Sequence, residues 1–130
     1  MFNKFLNKNS DYFYFVFRVL IGLLFLLHGI MKWQGIASGT TPMTSLIWYA
    51  GIIEIIAGVL FILGLFVRPA AFITSIEMLV AFFKVHVGST GILNPLVNKG
   101  EPAVLFFLAF LVILSQGARK WSLDNVFFKK

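Results

Sequence analysis

The sequence contains no cysteine and little charge. Without cysteine, the chain can form no disulfide, no thiolate metal site and no thiol–disulfide chemistry of its own. Only 12% of its 130 residues are charged while 59% are hydrophobic, and this balance lies outside the range of soluble globular domains. We therefore expect one domain that is embedded in a membrane.

Four apolar segments follow one another along the chain, over residues 12–31, 46–67, 69–87 and 102–116. Each of the first three has close to the roughly 20 residues with which a helix crosses a bilayer. The fourth is shorter and crosses where the bilayer thins slightly. The sequence thus predicts an all-α fold: a single domain over residues 1–130 that forms an integral membrane four-helix bundle.

The basic residues are unevenly divided between the two ends of these segments. One end holds Lys4, Lys8, Arg68, Arg119, Lys120, Lys129 and Lys130, whereas the opposite loops hold Lys32 and Lys99, with Lys84 nearby. The positive-inside rule then predicts that both termini are cytoplasmic. The net charge of +6 therefore reflects topology, and we expect no nucleic-acid partner.

Small and charged residues share one face of each of the first three predicted helices. Arg18 is in register with Gly22, Phe25, Gly29 and Lys32 in the first helix, and Glu54 lies between Gly51 and Gly58 in the second. In the third helix the stripe consists of Ala70, Thr74, Glu77, Ala81, Lys84 and Gly88. Because charged residues in a membrane face the bundle interior, we expect these faces to meet at a common axis.

The depth of each charge along its helix suggests its partner. Arg18 and Glu77 lie at similar depths from the predicted cytoplasmic end, so we predict a structural ion pair between them. Glu54 lies nearer the outer end, at a level shared with His28. Histidine and glutamate at such a mouth suit proton transfer, so His28 and Glu54 are candidate catalytic residues. The alternative is that these charges only hold the helices together.

His86 does not fit the stripe of the third helix. It follows Glu77 by nine residues, which is about 900° around an α-helix, so its side chain is expected to face away unless the helix unwinds before Gly88. A bis-histidine haem site with His28 is therefore not expected, and no metal site is expected either.

Five stretches, in this order and spacing, carry a family resemblance: FRVLIGLLFLLHGIMKW (17–33), IIEIIAGVLFILGLFVRPAA (52–71), IEMLVAFFKVHVG (76–88), KGE (99–101) and WSLD (121–124). With them the chain resembles the DoxX family of small four-helix membrane proteins. The resemblance implies a relation to the quinol-oxidase subunit DoxD, and some members of the family are linked to membrane complexes that detoxify oxidants or handle thiols. It places the polar positions of the family at Arg18, His28, Lys32, Glu54, Arg68, Glu77, His86 and Glu101.

Three functions stay open. The first is a quinone-linked redox subunit, or an accessory protein of a membrane oxidoreductase complex. Its quinone headgroup would lie in a polar pocket formed by His28, Glu54, Lys84 and Glu101, and a soluble or membrane redox partner would supply the electrons. The alternatives are a non-catalytic membrane scaffold, or a pathway for a small solute or protons, which would require a homo-oligomer. In each case we expect a multi-pass protein of the bacterial inner membrane.

Overall fold

The structure is a computed structural model that describes residues 1–41 and 45–128, and all regular secondary structure within those ranges is helical. The all-α prediction is therefore confirmed. Lys129 and Lys130, which contributed to the predicted charge asymmetry, lie outside the described residues. The helices are α1 (Phe2–Lys8), α2 (Ser10–Ser38), α3 (Ser45–Leu63), α4 (Val67–Val80), a π-helical segment (Ala81–Val87), α5 (Gly88–Thr90), α6 (Pro95–Asn98), α7 (Glu101–Gln116) and α8 (Leu123–Phe127).

Three of these helical stretches are long and apolar enough to cross a membrane. They are Ser10–Ser38, Leu46–Leu63 and Val67–Thr90, the last of which includes the π-helical segment. The first continues beyond its predicted end at residue 31. The fourth apolar helix, α7, has 16 residues, so a fourth crossing and the cytoplasmic position of both termini stay predictions.

Glycines allow α2 and α3 to pack backbone against backbone. A Cβ atom added to Gly22 would lie 2.8 Å from the carbonyl oxygen of Gly58, and one added to Gly29 would lie 2.8 Å from Ile55 Cγ1. Helices in a membrane approach this closely only through small residues. The inward stripe predicted for α2 is largely confirmed, since its buried residues are Tyr14, Arg18, Gly22, Phe25 and Gly29.

The remaining long helices close the bundle around an aromatic core. α4 packs against α3 and α7, and α7 packs more loosely against α2. Phe25, Phe61 and Phe110 are at most 1% exposed, and their ring centroids lie 4.8 Å (Phe25–Phe110) and 5.3 Å (Phe61–Phe110) apart. The outer faces carry exposed leucine, isoleucine and phenylalanine side chains, as expected for contact with lipid.

The π-helical segment changes which residues of the third apolar stretch face inward. A π-helix has a wider turn than an α-helix, so each residue after Val80 advances by a smaller angle. Phe82 is buried and His86 is partly buried, whereas Lys84 is exposed. The prediction that Lys84 continues the inward stripe of Glu77 is therefore wrong.

The start of α2, the start of α4 and the segment that follows α7 lie at one end of the bundle. Arg119 Nη2 lies 2.6 Å from Asp11 Oδ1, which joins the end of α7 to the start of α2. Arg68, at the start of α4, donates from Nε to the carbonyl oxygen of Leu114 over 3.2 Å. These contacts bring basic residues of separate segments to the same end, which we call the terminal end. We call the opposite end the loop end.

Candidate functional site

Arg18 is fully buried at the terminal end, and its partners are backbone carbonyls. Its Nε donates to Phe61 O at 2.9 Å, Nη1 to Ala118 O at 2.6 Å and Nη2 to Trp121 O at 2.9 Å. The predicted ion pair between Arg18 and Glu77 is wrong, because carbonyls from the chain near the ends of α3 and α7 occupy the guanidinium. Arg18 therefore holds these turns together.

Glu54 and Lys32 form a partly buried ion pair at the loop end. Lys32 Nζ lies 2.6 Å from Glu54 Oε1, with 33% of the lysine side chain and 3% of the glutamate side chain exposed. Gly29 lets α2 approach α3 closely beside this pair, since a Cβ atom at Gly29 would lie only 3.0 Å from Glu54 Cβ. The stripe prediction had placed Glu54 inward, and its burial confirms that position.

Three carboxylate oxygens near this pair are buried and lack a donor. They are Glu54 Oε2 and both oxygens of Glu77, which have no hydrogen-bond partner within the described part of the chain. Buried polar atoms in proteins are normally hydrogen-bonded. In buried Arg18, by contrast, each of the three side-chain nitrogens donates a hydrogen bond.

A cavity of about 270 Å³ lies on one side of the ion pair, and we call it the first cavity. Its polar lining consists of His28, Lys32, Glu54, His86 and Lys99, and its apolar lining includes Phe25, Met78 and Phe106. The structure thus brings His28 and Glu54 to one cavity, as their predicted depths suggested.

Two residues of the predicted pocket lie elsewhere. Lys84 points away on the π-helical segment, and Glu101 is exposed at the first turn of α7. Lys99 lines the cavity in their place. Its backbone adopts a left-handed conformation (φ 63°) just before α7. The sequence signal for Lys99 is the KGE motif (99–101), but nothing in the motif itself connects Lys99 to a cavity.

His86 is turned toward the bundle by the π-helical segment and oriented by the loop that follows it. Its Nδ1 lies 3.3 Å from the carbonyl oxygen of Asn98. Asn98 is buried and is itself fixed, since its side chain donates to Ile92 O and accepts from Gly100 N, each at 2.8 Å. The expectation that His86 faces away from the bundle is therefore wrong, because it assumed a regular α-helix.

A lateral cleft of about 310 Å³ lies between α2 and α7, and its lining is mostly apolar. His28, Pro102 and Phe106 line both this cleft and the first cavity. The His28 ring meets Phe106 edge to face, with centroids 5.3 Å apart. His28 therefore lies between the polar first cavity and the apolar lateral cleft.

A cavity of about 280 Å³, the second cavity, lies on the other side of the ion pair. It shares Lys32, Glu54, Ala81 and His86 with the first cavity and adds Glu77. Aliphatic side chains from α3 and from the π-helical segment form much of its wall. Within residues 1–41 and 45–128, no group of three histidine, aspartate or glutamate side chains is placed to hold a metal ion.

Comparison with known proteins gives the family. The sequence model described as DoxX matches residues 13–87, which include α3, most of α2 and the π-helical segment. A relative from Haemophilus influenzae, named "Uncharacterized protein", is 40% identical over 96% of this chain and 98% of its own length. A more distant relative from Bacillus subtilis, named "Putative oxidoreductase CatD", is 27% identical over 95% of this chain and 93% of its own length. No solved structure matches. This all-α, multi-pass membrane protein belongs to the DoxX family.

Proposed function

We propose that the protein is a quinone-linked redox subunit or accessory protein of an oxidoreductase complex in the bacterial inner membrane. The observation that carries this proposal is that His28 lines both a polar cavity and an apolar cleft beside it. The name of the Bacillus subtilis relative, an oxidoreductase, supports the same class of function.

The lining of the first cavity suits a quinone headgroup. Quinone carbonyls accept hydrogen bonds and donate none, so the site must supply N–H donors. An ammonium group has three N–H donors, and Lys32 uses one of them on Glu54 Oε1. Lys99 and the ring of His28 add donors on other sides of the cavity. The lateral cleft offers an apolar path for the tail toward the lipid.

We assign a separate role to each of three residues of the cavity. Lys32, held by Glu54, orients a headgroup carbonyl, and Glu54 is the carboxyl group through which a proton passes to or from that site. His28 exchanges protons at the entrance. When bound, the quinone supplies the two-electron, two-proton chemistry, and electrons come from a soluble or membrane partner.

The test is the amount of quinone that co-purifies with the protein in mild detergent, measured by organic extraction and absorption spectroscopy. We expect wild type to retain quinone, and Glu54→Gln and His28→Ala to retain at least about tenfold less, which corresponds to about 1.4 kcal/mol. Glu54→Gln removes the carboxylate that holds Lys32 in place, and His28→Ala removes a hydrogen-bond donor of the cavity. Glu101→Gln is the matched control for Glu54→Gln, because Glu101 is exposed outside the cavity.

Two outcomes would contradict the proposal. One is a wild-type protein that carries no quinone and binds no added short-chain benzoquinone. The other is normal occupancy in both cavity variants, together with normal complementation of a deletion strain at matched protein levels. That second outcome would favour the scaffold, in which the Lys32–Glu54 pair only joins α2 to α3. A melting temperature for each variant separates loss of the site from loss of the fold.

A further inference from the structure

The second cavity has an unusual set of hydrogen-bonding groups. The buried oxygens Glu54 Oε2, Glu77 Oε1 and Glu77 Oε2 can accept hydrogen bonds, and none has a donor within the described residues. Glu54 and Glu77 both line this cavity, and Glu54 is only 2% exposed. The first cavity, in contrast, is lined by several cationic or N–H-bearing side chains.

The charges around the second cavity do not balance. Lys32 carries one positive charge, and its ammonium lies against Glu54 Oε1. Glu54 and Glu77 carry two negative charges, so the cavity holds one negative charge in excess when both are ionised. His86, from the π-helical segment, directs Nδ1 to Asn98 O, and the remaining lining is Thr41 and aliphatic side chains of α3, α4 and the π-helical segment. An unpaired carboxylate in such surroundings is costly unless a cation or a proton neutralises it.

A suitable ligand must therefore supply both a positive charge and hydrogen-bond donors. A primary ammonium carries one positive charge and three N–H donors, which match the excess charge and the number of unbonded oxygens. A quaternary ammonium would supply the charge without donors, and an alcohol would supply a donor without the charge. The aliphatic wall suits a short alkyl chain attached to the ammonium.

We propose that the second cavity binds a primary ammonium group that is carried on an aliphatic chain, with Glu77 and Glu54 Oε2 as its acceptors. Such a group can belong to a free alkylamine or to the ethanolamine headgroup of a lipid. This function is separate from quinone binding, although the Lys32–Glu54 pair forms a wall of both cavities.

The direct test is titration calorimetry of delipidated wild-type protein with n-hexylamine at neutral pH. We expect saturable binding of one equivalent, and at least about tenfold weaker binding of hexyltrimethylammonium and of hexanol. Glu77→Gln should weaken hexylamine binding at least about tenfold, while Glu101→Gln, which changes an exposed carboxylate, should not. Equal binding by wild type and Glu77→Gln, or no binding by wild type, would overturn the proposal and leave Glu77 as a carboxyl group that is neutralised by a proton.

Reconstitution distinguishes the two sources of the ammonium. If the lipid is the ligand, vesicles of phosphatidylethanolamine should abolish hexylamine binding and vesicles of phosphatidylcholine should not. If both kinds of vesicle leave binding intact, the ligand is a free amine. Quinone occupancy measured on Glu77→Gln distinguishes the two proposals. Loss of amine binding with retained quinone would support the amine site in the second cavity. Failure of the amine proposal would leave the quinone proposal for the first cavity unaffected.

Discussion

At the terminal end, Arg18 is buried with all three of its donor nitrogens bonded to carbonyl oxygens. At the loop end, Glu54 has one bonded oxygen and Glu77 has none. Both ends thus place charged groups inside an apolar bundle, but only at the terminal end does every charged side-chain atom named here have a hydrogen-bond partner.

The difference separates a charge that holds the fold together from charges that, in the two proposals above, contact a ligand. A buried group whose bonds are complete fixes the elements that supply its partners, and here these are the ends of α3 and α7. A buried group with bonds left open costs stability, and a cavity beside it offers room for the missing partner. Both cavities that touch Glu54 lie at the loop end.

The largest contrast that we expect between the two ends is in membrane sidedness. The chain has no cysteine of its own, so single cysteines can be labelled cleanly. Exposed positions Ser38 and Ser89 at the loop end, replaced by cysteine, should react with an impermeant maleimide added outside intact cells. Cysteines at exposed Lys8 and Lys120 should react only after the membrane is permeabilised, because the basic terminal end is expected in the cytoplasm. The reverse pattern would invert the predicted orientation.

The next largest effect concerns Arg18. Arg18→Leu removes three hydrogen bonds and leaves the carbonyls of Phe61, Ala118 and Trp121 without this donor. At about 1–3 kcal/mol for each buried group left unsatisfied, we expect a loss of roughly 3–9 kcal/mol, measured by thermal unfolding in detergent with circular dichroism.

Arg119→Leu is the control for this change, since it removes a partly exposed pair with Asp11. Such pairs contribute about 1 kcal/mol or less. Similar destabilisation by the two variants would mean that the carbonyl contacts of Arg18 do not hold the terminal end together.

The smallest effect is expected for Glu77→Leu. This variant loses no hydrogen bond within the described residues and removes a buried carboxylate that has no partner. Replacing such a group by an apolar one of similar size is commonly neutral or stabilising. We expect a stability within about 1 kcal/mol of wild type, or a gain. Glu54→Leu should be more harmful, because it leaves Lys32 unpaired; the opposite ranking would show that Glu77 has a structural partner.

The inward position of several buried residues could be predicted from the sequence. The 3.6-residue period placed Arg18, Glu54 and Gly58 on inward faces, and all three are buried. The same period failed for Lys84 and His86, because a π-helical segment begins at Ala81 and its wider turn shifts every later residue. No residue of AFFKVHV marks this change by its type.

The partner of Arg18 could not be predicted either. Glu77 carries the opposite charge at a similar depth in the bundle, so a comparison of side chains alone pairs it with Arg18. The actual acceptors are backbone carbonyls, which any residue type supplies. One belongs to Phe61 in α3, and those of Ala118 and Trp121 lie where the chain turns after α7.

By itself, the sequence determined that the protein is helical and apolar, and which faces of most helices point inward, because these properties depend on composition and on a local period. Tertiary structure decided which buried charges are bonded and which are left open. That outcome depends on carbonyls, helix turns and loop residues that are distant in sequence: Trp121 bonds Arg18, Asn98 orients His86, and Lys32 bonds one oxygen of Glu54 while the other faces no donor within the described residues.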